Sequence, residues 1–432
     1  MPPAFTMICT SDLSGLVRGK GIPTNEFDRR CASGIGWTPT NVQITCFDTI
    51  AASPYGALGD LVLRPDPATR VEAPLPDGRT LAFALGAISS LDGEPWECCT
   101  RSLLAAAVER LRQRTGLELR TTFEHEFMFA GDSDTPGFSL AGFAQRLTFM
   151  EALTAALASA GIAPDSFLRE YGPNQMEVTL PPTDPMRAAD EAAILRELAR
   201  AVAVAMGERV SFSPLLAPEI VGNGVHIHAS LWRDGQPVTH DPAERHGLSR
   251  EAGSFVAGIL RHVNALAAIT APSAISYHRL TPHRWSAAYN NLGVQDREAS
   301  VRICPVSARE AQARARQYNF EYRAADAAAS PHLALAALID AGLAGIEDGL
   351  PSPEATEEDI SLLSMDRLAE RGLRRLPLSL DEAVAALEAD TRLTRSWPAA
   401  LPAIYAAHKR GELAHVRDWP IDEQFAAYRR VY

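Results

Sequence analysis

The segment Thr121-Thr122-Phe123-Glu124-His125-Glu126-Phe127 constrains the fold more than any other stretch. Its β-branched and aromatic residues favour a strand, and strand side chains alternate between faces. Glu124 and Glu126 therefore share one face and His125 takes the other. Two carboxylates side by side repel unless something cationic lies between them. Taken alone, the motif reads more simply as a solvent-facing strand that carries two acids.

Three further segments change that balance. Gly224-Val225-His226-Ile227-His228 again puts two polar groups on one strand face, with Val225 and Ile227 opposite and Gly222 close by. One such histidine is usually structural; two at this spacing point to a ligand or phosphate site. Glu170 and Glu177, separated by Gly172-Pro173, cannot lie on one regular strand. A loop must fold one acid toward the other, a way to build an oxygen cage for a hard cation. Arg279, Arg297, Arg302, Arg316 and Arg323 then cluster around Glu321 in a chain of net charge −12. Any one of these arginines reads equally well as a surface ion pair. Together they mark a place where anions are met, because guanidinium groups bind carboxylate and phosphate by paired hydrogen bonds. Glutamates, histidine and arginines in this order are what phosphoryl transfer from a nucleotide requires.

The rest of the chain supplies the scaffold. Residues 1–97 hold short β-type runs (NVQITCF, DLVLRPD, RTLAFALGA) separated by turns such as Pro76-Asp77-Gly78, and read as a small sheet-rich domain. Residues 98–432 read as a larger α+β domain, strands with helices on one side. Thr100 is expected to cap a helix ending at Thr115 with Gly116 as its stop. Further helices are expected near 139–160, from Asp184-Pro185 to Gly207, and over 251–270. Ser379 and Glu382 form a capping box. A pI near 5.5 argues against general binding to nucleic acid or anionic membrane. No apolar run approaches the ~20 residues that span a bilayer. The opening residues lack a signal-peptide layout, and the six cysteines are scattered without paired metal-ligand spacing. A cytoplasmic protein with reduced thiols is expected.

These segments, in this order, resemble the glutamine synthetase family. The likeness starts at DLSGLVRGKGIP and runs through GDLVLRPD and LDGEPW. It is strongest at FEHEF, NQMEV, GNGVHIHASL, SYHRLTP, DREASVRI and FEYRAADAAASPHLALAALIDAGLAGI. It implies a small β-grasp-like N-terminal domain and a large catalytic domain with an antiparallel sheet and helices. It also implies homo-oligomeric rings, two stacked hexamers. Two main sites for Mg²⁺ or Mn²⁺, two or three ions in all, are implied at Glu126, Glu170 and Glu177, and at Glu124, His226 and Glu321. His228, Ser230, Arg302 and Arg316 match positions near the nucleotide. Arg279 matches the arginine that grips the α-carboxylate of glutamate, and Gly222 a glycine whose backbone faces the amino group. Arg297, Arg302 and Arg323 match residues at the transferred phosphoryl group. The implied reaction is ATP-dependent phosphorylation of the γ-carboxylate of glutamate, followed by attack of an amine.

One departure from the family pattern concerns the amine. Members that use ammonia carry a glutamate six residues after the arginine of the SYxRLxP motif; here that place is Trp285. An indole accepts no proton, and it suits an alkyl or aromatic amine. The alternatives are plain loop packing at Trp285 in a true glutamine synthetase, or a non-catalytic member. Val221 stands where asparagine is common, Asp48 is the nearest match to an aspartate offered to a neighbouring subunit, and Ser330-Pro331-His332-Leu333 replaces Asn-Pro-Tyr-Leu. The stretch EEDISLLSMDRL lacks the tyrosine that some bacterial members adenylylate.

Overall fold

The computed structural model describes residues 3–131 and 133–432. In the small domain, strands Phe5–Ser11, Val17–Pro23, Ile35–Trp37, Leu61–Pro65, Val71–Pro74 and Thr80–Ser89 form one sheet around the helix Phe27–Ser33. Phe5–Ser11 and Thr80–Ser89 run parallel at its centre, and Ile8, Phe27, Trp37, Leu63 and Ile88 fill the core. The NVQITCF run is not a strand. Pro39 fixes the first turn of a 3₁₀ helix over Pro39–Gln43, and the Thr38 hydroxyl accepts the Thr40 N–H at 3.4 Å.

The large domain is built on a mixed, mainly antiparallel sheet of ten strands among the described residues. Its main strands are β1 (Glu118–Phe129), β2 (Ser166–Arg169), β3 (Gln175–Thr179), β4 (Val225–Arg233), β5 (Tyr289–Gly293), β6 (Ala299–Ile303) and β7 (Phe320–Ala325). They lie in the order β5-β6-β7-β4-β1-β3-β2, with β5 and β6 parallel. Helices α1 (Thr100–Thr115), α2 (Leu140–Ala158), α3 (Pro185–Ala205), α4 (Arg250–Arg261), α5 (Val263–Thr270) and α6 (Pro331–Glu347) supply most of the apolar core. Phe123, His125 and Phe127 of β1 are buried in that core, so Glu124 and Glu126 face away from it.

Local rules explain most of these limits, and three expectations are revised. Thr100 is the first helical residue and not the cap: its hydroxyl donates to the Ser11 carbonyl at 2.6 Å, tying the two domains, while Gly116 ends α1 in the left-handed region. The stretch 251–270 is two helices bent by 73° at His262. His262 adopts a bridge-region backbone, and its ring pairs with Asp390 at 2.6 Å, an anchor set by tertiary contact. The capping box is half formed: the Ser379 hydroxyl accepts the Glu382 N–H, but the Glu382 carboxylate reaches the Leu378 N–H. Asp184 caps α3 as expected, accepting the Arg187 N–H at 3.0 Å. Among the described residues no single helix is long and apolar enough to cross a membrane.

Candidate active site

Strand register assembles the charged residues. Glu126 of β1 lies opposite Glu177 of β3, and Glu124 opposite His226 of β4. His228 lies opposite Glu321 of β7, and Glu321 opposite Arg302 of β6. β7 carries one extra residue against β4 between Tyr322 and Ala325, a bulge beside Arg323. The seven-residue gap between Glu170 and Glu177 is the hairpin from β2 to β3. Arg169 holds that turn together, donating to the carbonyls of Gly172 at 2.8 Å and Gln175 at 3.1 Å.

These residues line one cavity of about 550 Å³, with Gly222, Arg279, Trp285, Arg297 and Arg323. Glu124 accepts from or pairs with His226 Nδ1 at 2.6 Å and His228 Nε2 at 3.3 Å. Glu126 accepts the Gly224 N–H at 2.7 Å. Glu321 Oε1 takes both Arg302 at 2.7 Å and Arg323 at 2.9 Å. Ser230 and Arg316 are not brought in. Ser230 shares the face of His226 and His228 but lies farther along β4, where its hydroxyl accepts Trp232 Nε1 at 2.9 Å. Arg316 is exposed on the short helix Ala311–Gln317. Asp48 is exposed, pairs with Arg18 at 3.0 Å and lies outside this cavity.

The electrostatics call for a cation. Burial raises the Glu177 carboxyl, and Glu124 and Glu126 push it further, to about 10. Burial also works to raise Glu124, but His226 and His228 outweigh it and hold that carboxyl well below the usual range. Burial raises Glu170 as well. Four carboxylates that cannot all ionise unaided are suited to an oxygen-preferring divalent ion. On the other side, Arg279 is 3% exposed and its Nη1 has no hydrogen-bond partner among the described residues, a buried donor suited to an acceptor. A Cβ on Gly222 would stand 2.4 Å from the Pro214 carbonyl oxygen and 2.8 Å from Arg279 Cδ, so the glycine makes room for both.

This combination of fold and site has known counterparts. A family model described as the glutamine synthetase catalytic domain matches residues 97–428, and one for the glutamine synthetase N-terminal domain matches residues 4–96. The chain belongs to the glutamine synthetase family. A gamma-glutamylpolyamine synthetase of Streptomyces coelicolor is 36% identical, over 98% of this chain and 92% of that protein. The glutamine synthetase of Pyrococcus furiosus is 28% identical, over 98% and 96%. A crystal structure described as a novel glutamine synthase homolog superposes with a TM-score of 0.90 at 41% identity, covering 100% of this chain and 99% of that one. The chain is thus related to ATP-dependent carbon–nitrogen ligases.

The cavity also holds residues that sequence reasoning missed. Phe138 and Tyr171 line its mouth with Trp285, and the three are 61%, 72% and 65% exposed. Tyr171 adjoins Glu170, which was a signal; nothing in the local pattern marks Phe138. Phe138 and Trp285 have φ of 58° and 56°, left-handed values uncommon for bulky residues. Both are pinned through their N–H groups, Phe138 to the Arg169 carbonyl at 2.7 Å and Trp285 to Glu298 Oε1 at 2.9 Å. Cys304, at the end of β6, lies against His228. It is one of the six cysteines, none of which is disulfide-bonded among the described residues.

Proposed function

We propose that the protein joins the γ-carboxylate of glutamate to an organic amine, with ATP converted to ADP and phosphate. The observation that carries this reading is the aromatic mouth formed by Phe138, Tyr171 and Trp285 above the carboxylate cluster. Its backbone strain is of the kind stored at functional sites. Aromatic faces attract alkylammonium groups and cover their methylenes, work that a small ammonium ion does not need. The likeness to a gamma-glutamylpolyamine synthetase supports the same class of acceptor. So does a second hollow of about 460 Å³ behind the Trp285 loop, walled by Asp296, Glu298, Glu357, Glu358 and Asp359. Its negative field favours an amine with more than one positive charge.

In this reading Arg279 takes the α-carboxylate of glutamate and Gly222 presents its backbone to the amino group. Glu126, Glu170 and Glu177, and Glu124, His226 and Glu321, are the residues that would hold Mg²⁺ or Mn²⁺, which when bound neutralises phosphate oxygens. Arg302 and Arg323, both fastened to Glu321, face the γ-phosphoryl group as the γ-carboxylate attacks it and ADP departs. Arg297 stands at the rim, its carbonyl accepting Arg323 Nε at 2.8 Å. The amine then sheds its ammonium proton to solvent, enters past Trp285 and attacks the acyl carbon; the bond to phosphate breaks, and the second proton of the new amide nitrogen goes to the departing phosphate.

The test is phosphate release from ATP with glutamate and Mg²⁺, comparing ammonium with alkylamines, arylamines and polyamines. Release that rises with an organic amine and hardly with ammonium is expected, and Trp285→Glu should move the preference at least about tenfold toward ammonium. Strong release with ammonium by the unaltered protein would make it a glutamine synthetase and reduce Trp285 to loop packing.

A further inference from the structure

Cys304 is buried at the wall of the cavity, just beyond the end of β6, in a place that the proposed reaction does not use. Its Sγ lies 3.4 Å from His228 Nδ1, and Glu321 Oε2 lies 3.3 Å from Nε2 on the other side of the same ring, so a shared ion would use one of these two nitrogens. One donor atom from each of the three residues can be chosen so that all lie within 4.8 Å of one another. A tetrahedral zinc ion with bonds of about 2.0–2.3 Å spaces its donors by roughly 3.3–3.8 Å, so donors that stand as far as 4.8 Å apart must close by about 1–1.5 Å through side-chain rotation. The other five cysteines do not line this cavity.

We propose that His228, Cys304 and Glu321 form a thiolate-containing site for a borderline or soft divalent cation, Zn²⁺ above all, that shuts the enzyme off. The set differs in kind from the oxygen-rich cluster around Glu126 and Glu177. A thiolate selects zinc over magnesium, whereas clustered carboxylates take either. Three protein donors leave a fourth position for water or a phosphate oxygen. On binding, zinc bonds replace the Cys304 S–H bond and any N–H bond on the His228 nitrogen that turns to the metal, and those protons pass to solvent. Occupancy also draws on Glu321, which holds Arg302 and Arg323 in place. A zinc-loaded site therefore pulls the anchor away from both arginines and competes with the use of Glu321 for a hard cation. The inference is independent of which amine the enzyme takes.

The experiment is a Co²⁺ titration of the full-length protein followed by absorbance, since thiolate ligation to Co²⁺ produces a near-ultraviolet charge-transfer band whether or not the protein catalyses. One band-forming equivalent per chain is expected, bleached by Zn²⁺ but not by the same concentration of Mg²⁺. Cys304→Ser should abolish the band and raise the zinc concentration for half-inhibition by at least about tenfold. Cys304→Ala, with circular dichroism to establish folding, repeats the test should serine disturb the strand end. No band in the unaltered protein, or a band that survives in folded Cys304→Ser, overturns the proposal; so does an unchanged zinc sensitivity.

Discussion

Arg279 shows how much a single side chain is asked to do. Burial pushes its guanidinium below the ordinary arginine value, and among the described residues its one hydrogen bond is to the Arg323 carbonyl at 3.3 Å. A buried cation with an idle donor is costly unless a ligand completes it. Replacing it by Gln removes both charge and fork and should raise KM for glutamate by about 10²-fold or more. Arg279→Lys should recover little of this, because an ammonium cannot make the two-pronged contact. Steady-state kinetics with glutamate varied at saturating ATP decides both. A glutamate KM within threefold of the unaltered enzyme for Arg279→Gln would remove the residue from the acid site.

At the scale of elements, the site is a product of register. Facing pairs on β1, β3, β4 and β7 stack donors in rows, and a slip of one residue would turn a whole strand's set into the core. The chain entering β4 is equally specific. A Cβ on Gly224 would stand 2.5 Å from Arg279 Nη2 and 3.2 Å from His226 Nε2. The atom displaced is the far end of a flexible arginine, so the fold should tolerate Gly224→Ala while the guanidinium leaves its place. The expected result is a thermal midpoint within a few degrees of the unaltered protein and a rise of about tenfold or more in KM for glutamate. A large stability loss without a KM change would contradict this assignment of cause.

Across the whole molecule, burial of ionisable groups sets the response to acid. Burial, aided by Arg196, drives His125 down to about 3, and burial with Lys409 nearby does the same to His408. A free imidazole titrates near ~6.5. Between that pH and about 3 the unfolded chain binds protons that the folded one refuses, so stability is full above ~6.5 and falls as pH drops. Each histidine contributes a slope approaching roughly 1.4 kcal/mol per pH unit over that window. His125 packs between Phe123 and Phe212, and its Nδ1 has no hydrogen-bond partner among the described residues, so phenylalanine fits the site's chemistry. His125→Phe should lose urea stability less steeply than the unaltered protein between pH 6.5 and 5. Parallel slopes would place the acid sensitivity elsewhere.

Much of this was legible in the order of residues. Alternation on β1 and β4 put Glu124 with Glu126 and His226 with His228, because a pleated strand leaves side chains no other choice. The Asp184 cap, the Gly116 stop and the two-domain α+β plan followed from equally local rules. NVQITCF has strand-forming residues, yet the Thr38 cap and Pro39 just before it, equally local signals, carry Asn41–Gln43 into a 3₁₀ helix. Elsewhere long-range contact decided. The helix expected over 251–270 bends at His262, whose ring is tied to Asp390 128 residues away. No spacing rule could place Phe138 at the cavity mouth, leave Ser230 and Arg316 outside it, or bring Cys304 to His228 across 76 positions. Which residue types face one way is a property of the strand itself. Which strands meet, and in what register, depends on packing between segments far apart in the chain, and that is carried only by the folded whole.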